Sequence, residues 1–129
     1  MLLRSKQDGR RLQKRLLGQC GRATIPNVLI PNNFKNIIEN IEKYDIVLLL
    51  YEGEQNLTLK SVLIDFKQRN KSSFNIAIIV GPEGGFDESE VEVLKECSNV
   101  KCVTLGKNIL RTETAGMAAV SMINYEFEL

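Results

Sequence analysis

The 129-residue chain contains no histidine. Histidine is the commonest general base and the commonest metal ligand in proteins, so its absence removes both roles together. The three cysteines, Cys20, Cys97 and Cys102, have no C-x-x-C spacing, and their number is odd. This pattern is more typical of reduced thiols in a cytoplasmic protein than of a disulfide framework or a metal site. We therefore expect a cytoplasmic protein with no bound metal.

The chain also lacks long apolar segments. No run approaches the roughly 20 apolar residues that are needed to span a membrane. The first eight residues contain no extended apolar segment of the kind that marks a signal peptide. Hydrophobic residues make up 43% of the chain, which suits one soluble domain with a modest core. These observations predict no membrane partner.

The net charge of +1 hides a basic N-terminal segment. Residues 1–22, which include Arg22, carry seven basic side chains and one acidic side chain, a net charge of +6 that the rest of the chain offsets with −5. A basic segment of this kind is typical either of a surface that faces RNA or of a solvated helix face. The residues themselves leave both interpretations open.

The hydrophobic pattern predicts strands and helices in alternation. Short apolar runs predict strands over residues 28–30, 45–51, 76–80 and 100–104. Apolar residues at helical spacing predict helices over residues 6–18, from Asn32 or Asn33 to Ile41, over 57–69, from Asp87 onward, and from Thr112 to about Tyr125. This alternation predicts an α/β fold with a mainly parallel sheet that is flanked by helices.

Two of these elements have distinctive sequences. Asp87 is a good N-cap, with Glu90 at the capping-box position and Phe86 and Val91 spaced for a hydrophobic staple. The last helix consists mostly of small and apolar residues, and its one charged residue before Glu126 lies in the first turn. A helix that is apolar all round is expected to be buried on all sides, either in the centre of the core or with a subunit interface on one side.

A loop rich in glycine follows the apolar run 76–80. It reads Gly-Pro-Glu-Gly-Gly-Phe over residues 81–86. Pro82 fixes the backbone and has no N–H, whereas Gly84 and Gly85 expose bare main chain that could bind an adenine edge or a ribose. Glu83 could accept a bond from a ribose hydroxyl. The alternative is a tight turn with a solvated Glu83. The loop matches neither a dinucleotide fingerprint nor a P-loop.

A second loop follows the predicted strand 100–104. Gly106 again places a glycine at the carboxyl end of a strand, the edge where ligands of open α/β sheets gather. Ile109 and Leu110 are apolar residues against which a base could pack. Arg111 precedes the predicted helix cap Thr112, where a cation opposes the helix dipole. This conflict favours a contact of Arg111 with phosphate or uracil oxygens over an ion pair with Glu113.

The two loops together resemble the SPOUT methyltransferases. The pattern I-x-x-G-P-E-G-G-F over residues 78–86, paired with L-G-x-x-I-L-R-x-E-T-A over 105–115, is similar to the family that methylates N3 of a uridine in 16S ribosomal RNA, the ribosomal RNA small subunit methyltransferase E family. A weaker similarity lies at residues 19–22 and 25–26, which resemble its E-Q-x-x-R and V-P segment. Gly18 stands where that family carries glutamate.

The resemblance implies a fold, a cofactor and a set of site residues. It implies a C-terminal deep trefoil knot with residues 115–123 as the threaded helix, S-adenosyl-L-methionine as cofactor, and a homodimer. Arg111 and Glu113 would be catalytic, and Arg22 and Arg111 would contact RNA. The implied cofactor-binding residues are Val80, Gly81, Pro82, Glu83, Gly84, Gly85, Leu105, Gly106, Ile109, Leu110, Thr114 and Ala115.

The resemblance also implies the protein's partners and its domain content. Residues 1–129 would form a single SPOUT-like methyltransferase domain without the family's N-terminal RNA-binding barrel and first strand–helix portion. The expected partner is 16S ribosomal RNA or the small ribosomal subunit. Two alternatives to methyl transfer stay open: a non-catalytic RNA- or nucleotide-binding module, and a remnant that folds only together with its missing part.

Overall fold

The structure of the protein is a computed structural model that describes residues 2–3, 33–54, 56–69, 74–81, 86–107 and 110–127. The predicted helix over 6–18, the predicted strand over 28–30 and Arg22 lie outside these ranges. The described strands are β1 (Leu2–Leu3), β2 (Ile46–Leu50), β3 (Ile76–Val80) and β4 (Val100–Val103). The helices are α1 (Phe34–Ile41), α2 (Leu59–Arg69), α3 (Glu88–Glu96) and α4 (Thr112–Phe127).

The four described strands form one parallel sheet in the order β1-β3-β2-β4. Leu50 at the end of β2 pairs with Val80 at the end of β3 and with Val103 at the end of β4. The three strands therefore finish at the same level, and the connections that follow them begin at one edge of the sheet. The α/β fold with a parallel sheet is confirmed, whereas β1 was not among the predicted strands.

Hydrophobic side chains cover both faces of the sheet. Leu48 belongs to a buried cluster that includes residues of α2 and α4, and Leu49 belongs to a second cluster that includes residues of α1 and α3. Successive strand residues point to opposite faces, so a strand buried on both sides must be apolar at every position. This explains the uninterrupted apolar sequence of β2 and confirms that the strand is buried.

Side-chain caps explain where three of the helices begin. Asn33 accepts a hydrogen bond from the N–H of Asn36 at 3.0 Å, and the predicted capping box is present at Asp87, whose N–H donates to Glu90. Helix α2 begins at Leu59, two residues later than predicted, because the hydroxyl of Thr58 accepts from the N–H of Ser61 at 3.2 Å. Each cap satisfies a donor that the helix itself leaves unpaired.

One expectation about the last helix was wrong, and one of the two arrangements expected for its burial is excluded. Helix α4 begins at Thr112, and the N–H of Ala115 donates to the carbonyl of Arg111 at 2.8 Å, so Arg111 and not Thr112 holds the N-cap position. The helix does not lie in the centre of the core, because one of its faces is exposed within the chain; a subunit interface on that face stays a prediction. Ala119 and Ile123 are buried against the sheet and α2, whereas the side chain of Tyr125 is 85% exposed.

An aromatic cluster fixes the far end of α4. The ring of Phe66 lies edge-on to the ring of Phe74, with 5.1 Å between the ring centroids. Phe127 packs against both rings at 6.4 and 4.9 Å, respectively. These contacts stabilise two helical residues beyond the predicted end at Tyr125.

The helices of the described part of the chain are too short or too polar to cross a membrane.

Candidate functional site

The candidate site is built from the connections that follow β2, β3 and β4. Leu50, Val80 and Val103 are in register, so the connections that begin at Tyr51, Gly81 and Thr104 all leave the sheet at its carboxyl edge. This is the edge at which parallel α/β sheets bind ligands. The predicted loops after β3 and β4 therefore begin at the same edge of the sheet, on either side of β2.

The connection after β3 starts with a tightly packed glycine. Val80 is 3% exposed and belongs to the core, and Gly81 is buried. A Cβ atom on Gly81 would stand 2.9 Å from Cε2 of Phe86, closer than side chains normally approach. Close approach of this ring therefore requires a glycine at position 81. Pro82, Glu83, Gly84 and Gly85 lie outside the described residues, so their cofactor contacts stay predictions.

The connection after β4 is shaped by Gly106, whose φ angle is +135°. Residues other than glycine rarely adopt this conformation. The hydroxyl of Thr104 donates to the carbonyl of Gly106 at 3.0 Å and accepts from its N–H at 3.2 Å. Leu105 is half-buried and packs against the α2 and α4 cluster, while Gly106 is exposed. Ile109 lies outside the described residues.

The start of α4 contributes the remaining predicted site residues. Leu110 and Ala115 are half-buried, and Arg111 and Thr114 are exposed. Arg111 is therefore exposed at the N-terminus of a helix, and its positive charge and the helix dipole both favour an anionic ligand there. Glu113 lies in the first turn of α4, and its side chain is outside the described part of the structure.

The sequence prediction missed the connection that follows β2. The carboxylate of Glu54 accepts hydrogen bonds from the N–H groups of Asn56 and Leu57 at 3.1 and 3.0 Å. Leu57 in turn accepts from the N–H of Thr104 at 2.9 Å, so this segment contacts the loop that leads to Gly106. The signal that identified the other two loops, polar and glycine residues directly after a buried strand, is present here as Tyr51, Glu52 and Gly53.

A cavity of about 610 Å³ lies between α2 and α4. Leu59, Leu63 and Leu105 are among the residues that line it, and Met122 and Tyr125 of α4 line it as well. Its volume falls within the range of small-molecule sites. Of the predicted site residues, Leu105 and Gly106 line the cavity. Its other lining residues belong to α2 and α4 or directly adjoin α2 and β4.

The buried thiol at this end of the sheet is not an activated nucleophile. Burial raises the pKa of Cys102 above its ordinary value of 9.0; Lys95 lowers that pKa and Glu54 raises it further. A raised pKa keeps the thiol protonated at neutral pH, and the thiolate is the reactive form. Cys97 and Cys102 are both free. Within the described ranges, no group of three or more cysteine, aspartate or glutamate side chains is arranged to bind a metal ion.

Comparison with known proteins identifies relatives along nearly the whole chain. A family model described as RNA methyltransferase domain matches residues 5–124. The ribosomal RNA small subunit methyltransferase E of Bacillus subtilis (strain 168) is 33% identical over 119 residues, which cover 92% of this chain and 46% of that protein. The protein of the same name from Rickettsia conorii is 42% identical over 76 residues, 59% of this chain and 30% of the relative.

A solved structure gives the same result. The crystal structure of a ribosomal RNA small subunit methyltransferase E from Neisseria gonorrhoeae bound to S-adenosyl methionine superposes with a TM-score of 0.62 at 29% identity. The superposition covers 93% of this chain and 48% of that one. The chain thus spans half or less of the length of each of these relatives.

Proposed function

Because the chain belongs to the RNA methyltransferase domain family, we propose that it binds S-adenosyl-L-methionine and transfers the methyl group to N3 of a uridine in 16S ribosomal RNA. The named relatives are small-subunit ribosomal RNA methyltransferases, and the neisserial protein was crystallised with S-adenosyl methionine. The observation that carries the proposal is the register of Val80 and Val103, which starts both glycine loops at one sheet edge. A ribosomal RNA substrate would place the protein in the cytoplasm.

The described backbone at this edge fits a cofactor that is held by main-chain groups. Gly106 is exposed, and a Cβ built on it would meet no described atom within 4 Å, so a ligand can approach its Cα atom closely. Gly81, Leu105, Leu110 and Ala115 would supply the remaining described contacts. Bare backbone donors and acceptors can bind the adenine edge and the ribose of the cofactor without obstruction by side chains.

The bound cofactor supplies an activated methyl group, and the protein has to align the uridine with it and exclude water. N3 of uridine loses its proton during transfer, and negative charge develops on the uracil oxygens. Arg111 is exposed at the start of α4, and we assign to it the stabilisation of this charge. Glu113 would accept the proton, either directly or through solvent. Arg22 would contact the RNA backbone.

The exposed face of α4 supports a homodimer. Met122 is 41% exposed and Tyr125 is 85% exposed, and both line the cavity between α2 and α4. A second copy that packs on this face would remove these apolar surfaces from water. The resemblance to SPOUT enzymes adds the proposal that α4 is threaded through a trefoil knot near this interface. Sedimentation of two variants tests this interface. Tyr125→Glu should lose the dimer, whereas Glu92→Gln, at an exposed position of α3, should retain it.

The first experiment is titration calorimetry of the 129-residue chain with S-adenosyl-L-methionine. Saturable binding at micromolar concentration is the expected result. RNA binding without cofactor binding would instead support a non-catalytic RNA-binding module, and a broad, non-cooperative melt would show that the chain does not fold alone.

The second experiment measures methyl transfer to 16S ribosomal RNA and to small ribosomal subunits, with detection of N3-methyluridine by mass spectrometry. Arg111→Ala is expected to reduce transfer by about 100-fold or more while the affinity for the cofactor is retained. Lys101→Ala removes another exposed cation, from β4, and serves as the matched control. Normal transfer by Arg111→Ala would show that Arg111 has no catalytic role.

A further inference from the structure

The hydroxyl of Thr104 makes two hydrogen bonds to the same residue, Gly106. It donates to the carbonyl at 3.0 Å and accepts from the N–H at 3.2 Å. Gly106 has a φ angle of +135°, and a Cβ at this position would meet no described atom within 4 Å, so packing on this side of its Cα does not hold it. Among the described contacts, the Thr104 hydroxyl is therefore what fixes both peptide groups of this exposed glycine.

Thr104 is itself held by the segment that leads into α2. Its N–H donates to the carbonyl of Leu57 at 2.9 Å, and its carbonyl accepts from the N–H of Leu59 at 3.1 Å. These bonds form a parallel bridge between Thr58 and Thr104 just beyond the end of β4. The backbone of Thr104 is thus anchored on both sides, which leaves its hydroxyl in a defined position.

Glu54 holds the segment on which Thr104 is anchored. Its carboxylate accepts from the N–H groups of Asn56 and Leu57 at 3.1 and 3.0 Å. The N–H of Glu54 donates to the carbonyl of Tyr51 at 3.2 Å, and the N–H of Tyr51 donates to the carbonyl of Val103 at 3.3 Å. A continuous series of hydrogen bonds therefore connects the ends of β2 and β4 to Gly106.

We propose that Thr104 is a positioning residue for the cofactor, and that its hydroxyl, anchored through the Glu54 segment, holds Gly106 in the conformation that binds S-adenosyl-L-methionine. This inference rests on the proposed function. Water can replace the two bonds at an exposed glycine, so their loss changes folding stability little. Loss of these bonds does allow the loop more conformations. Cofactor binding must then restrict the loop, which lowers the affinity for the cofactor.

The test is titration calorimetry of Thr104→Val and Thr104→Ser with S-adenosyl-L-methionine. Valine keeps the branched shape and removes the hydroxyl, and we expect its affinity to fall by about three- to tenfold. Serine keeps the hydroxyl and should bind within about twofold of the parent chain. Asp45→Ala is the control. It removes a carboxylate that accepts a hydrogen bond from the N–H of Asn75 at 2.6 Å, at the opposite edge of the sheet. It should leave affinity unchanged.

The outcomes separate this inference from the proposed function. If the parent chain does not bind the cofactor, the proposed function fails, and this inference fails with it. If the parent binds and Thr104→Val binds equally well, the proposed function stands and the inference is overturned. Should Thr104→Val fail to fold, Glu54→Ala must lower affinity and Glu54→Gln, which keeps an acceptor oxygen, must retain it. Equal affinity of Glu54→Ala and the parent would overturn the inference.

Discussion

The ring of Phe86 closes directly over Gly81. A Cβ atom at position 81 would stand 2.9 Å from Cε2 and 3.0 Å from Cδ2 of this ring. Phe86 is 9% exposed and belongs to the cluster that packs α1 and α3 on the sheet. The ring therefore joins the first residue after β3 to the core and fixes where the glycine-rich connection leaves the sheet.

Gly81→Ala is expected to displace the Phe86 ring from its buried position. Because the ring is surrounded by the core, the cost should be about 1–3 kcal/mol in the free energy of unfolding, as for other overpacked sites. Urea unfolding followed by circular dichroism measures this cost.

A double variant tests whether the ring is the cause. Phe86→Leu shortens the side chain, so adding Gly81→Ala to it should cost less than adding Gly81→Ala to the parent chain. Additive costs of the two substitutions would show that the ring does not set the requirement for glycine.

Gly106→Ala should also destabilise the chain, but for a different reason. No described atom lies within 4 Å of a Cβ at this position, so the cost comes from a φ angle of +135° rather than from a clash. We expect about 1–3 kcal/mol in urea unfolding. Lys107→Ala, at the exposed neighbouring position, is the control and should change stability by less than about 0.5 kcal/mol. A neutral Gly106→Ala would contradict the strained backbone.

Asn99 connects two turns at the amino edge of the sheet. Its side-chain amide donates to the carbonyls of Ile41 at 2.9 Å and Tyr44 at 3.0 Å. Asn99→Ala removes both bonds; the carbonyl of Ile41 still accepts from the N–H of Tyr44 at 3.2 Å, whereas the carbonyl of Tyr44 loses the donor that the described structure gives it. The free energy of unfolding should fall by about 1–3 kcal/mol. Ser98→Ala changes an exposed neighbour and should be almost neutral. Similar midpoints for the two variants in urea would show that the amide contributes nothing.

Cys102 should make the stability of the chain fall at alkaline pH. Burial raises the pKa of its thiol in the folded state above the ordinary value of 9.0 that applies to the unfolded chain. Between the two pKa values the folded state binds more protons than the unfolded state. The stability that the protonated thiol contributes is therefore fully present below about pH 9 and is lost as the pH rises through the folded pKa. Urea unfolding from about pH 8 to about pH 10 should show a steeper loss for the parent chain than for Cys102→Ala.

Alkylation of the native chain gives an independent test of the burial and protonation of the same thiol. Iodoacetamide reacts with thiolates, so half-buried Cys97 should be modified before buried Cys102 when the sites are distinguished by peptide mass spectrometry. In denaturant the two rates should become similar. Faster modification of Cys102 in the native chain would contradict the burial of this thiol and the raised pKa that follows from it.

Within the described ranges, the sequence predicted three of the four strands and the start of every helix to within two residues, but it did not predict β1. Uninterrupted apolar runs identified β2 and β3, and the Asp87 and Glu90 pair identified the start of α3, because these signals act over neighbouring residues. The two motifs around Gly81 and Gly106 also identified the family. Local patterns could not show that Phe127 extends α4, because that extension depends on Phe66 and Phe74, which are distant in sequence.

Tertiary structure decided which residues meet. The register of Leu50 with Val80 and Val103 places three connections at one edge, and pairing across the sheet adds the Glu54 segment that the sequence prediction missed. The exposure of Tyr125 was likewise decided by packing, since one face of α4 covers the sheet and α2 while the other is left in water. Hydrogen bonds and contacts between distant segments depend on three-dimensional distance, which the order of residues along the chain does not contain.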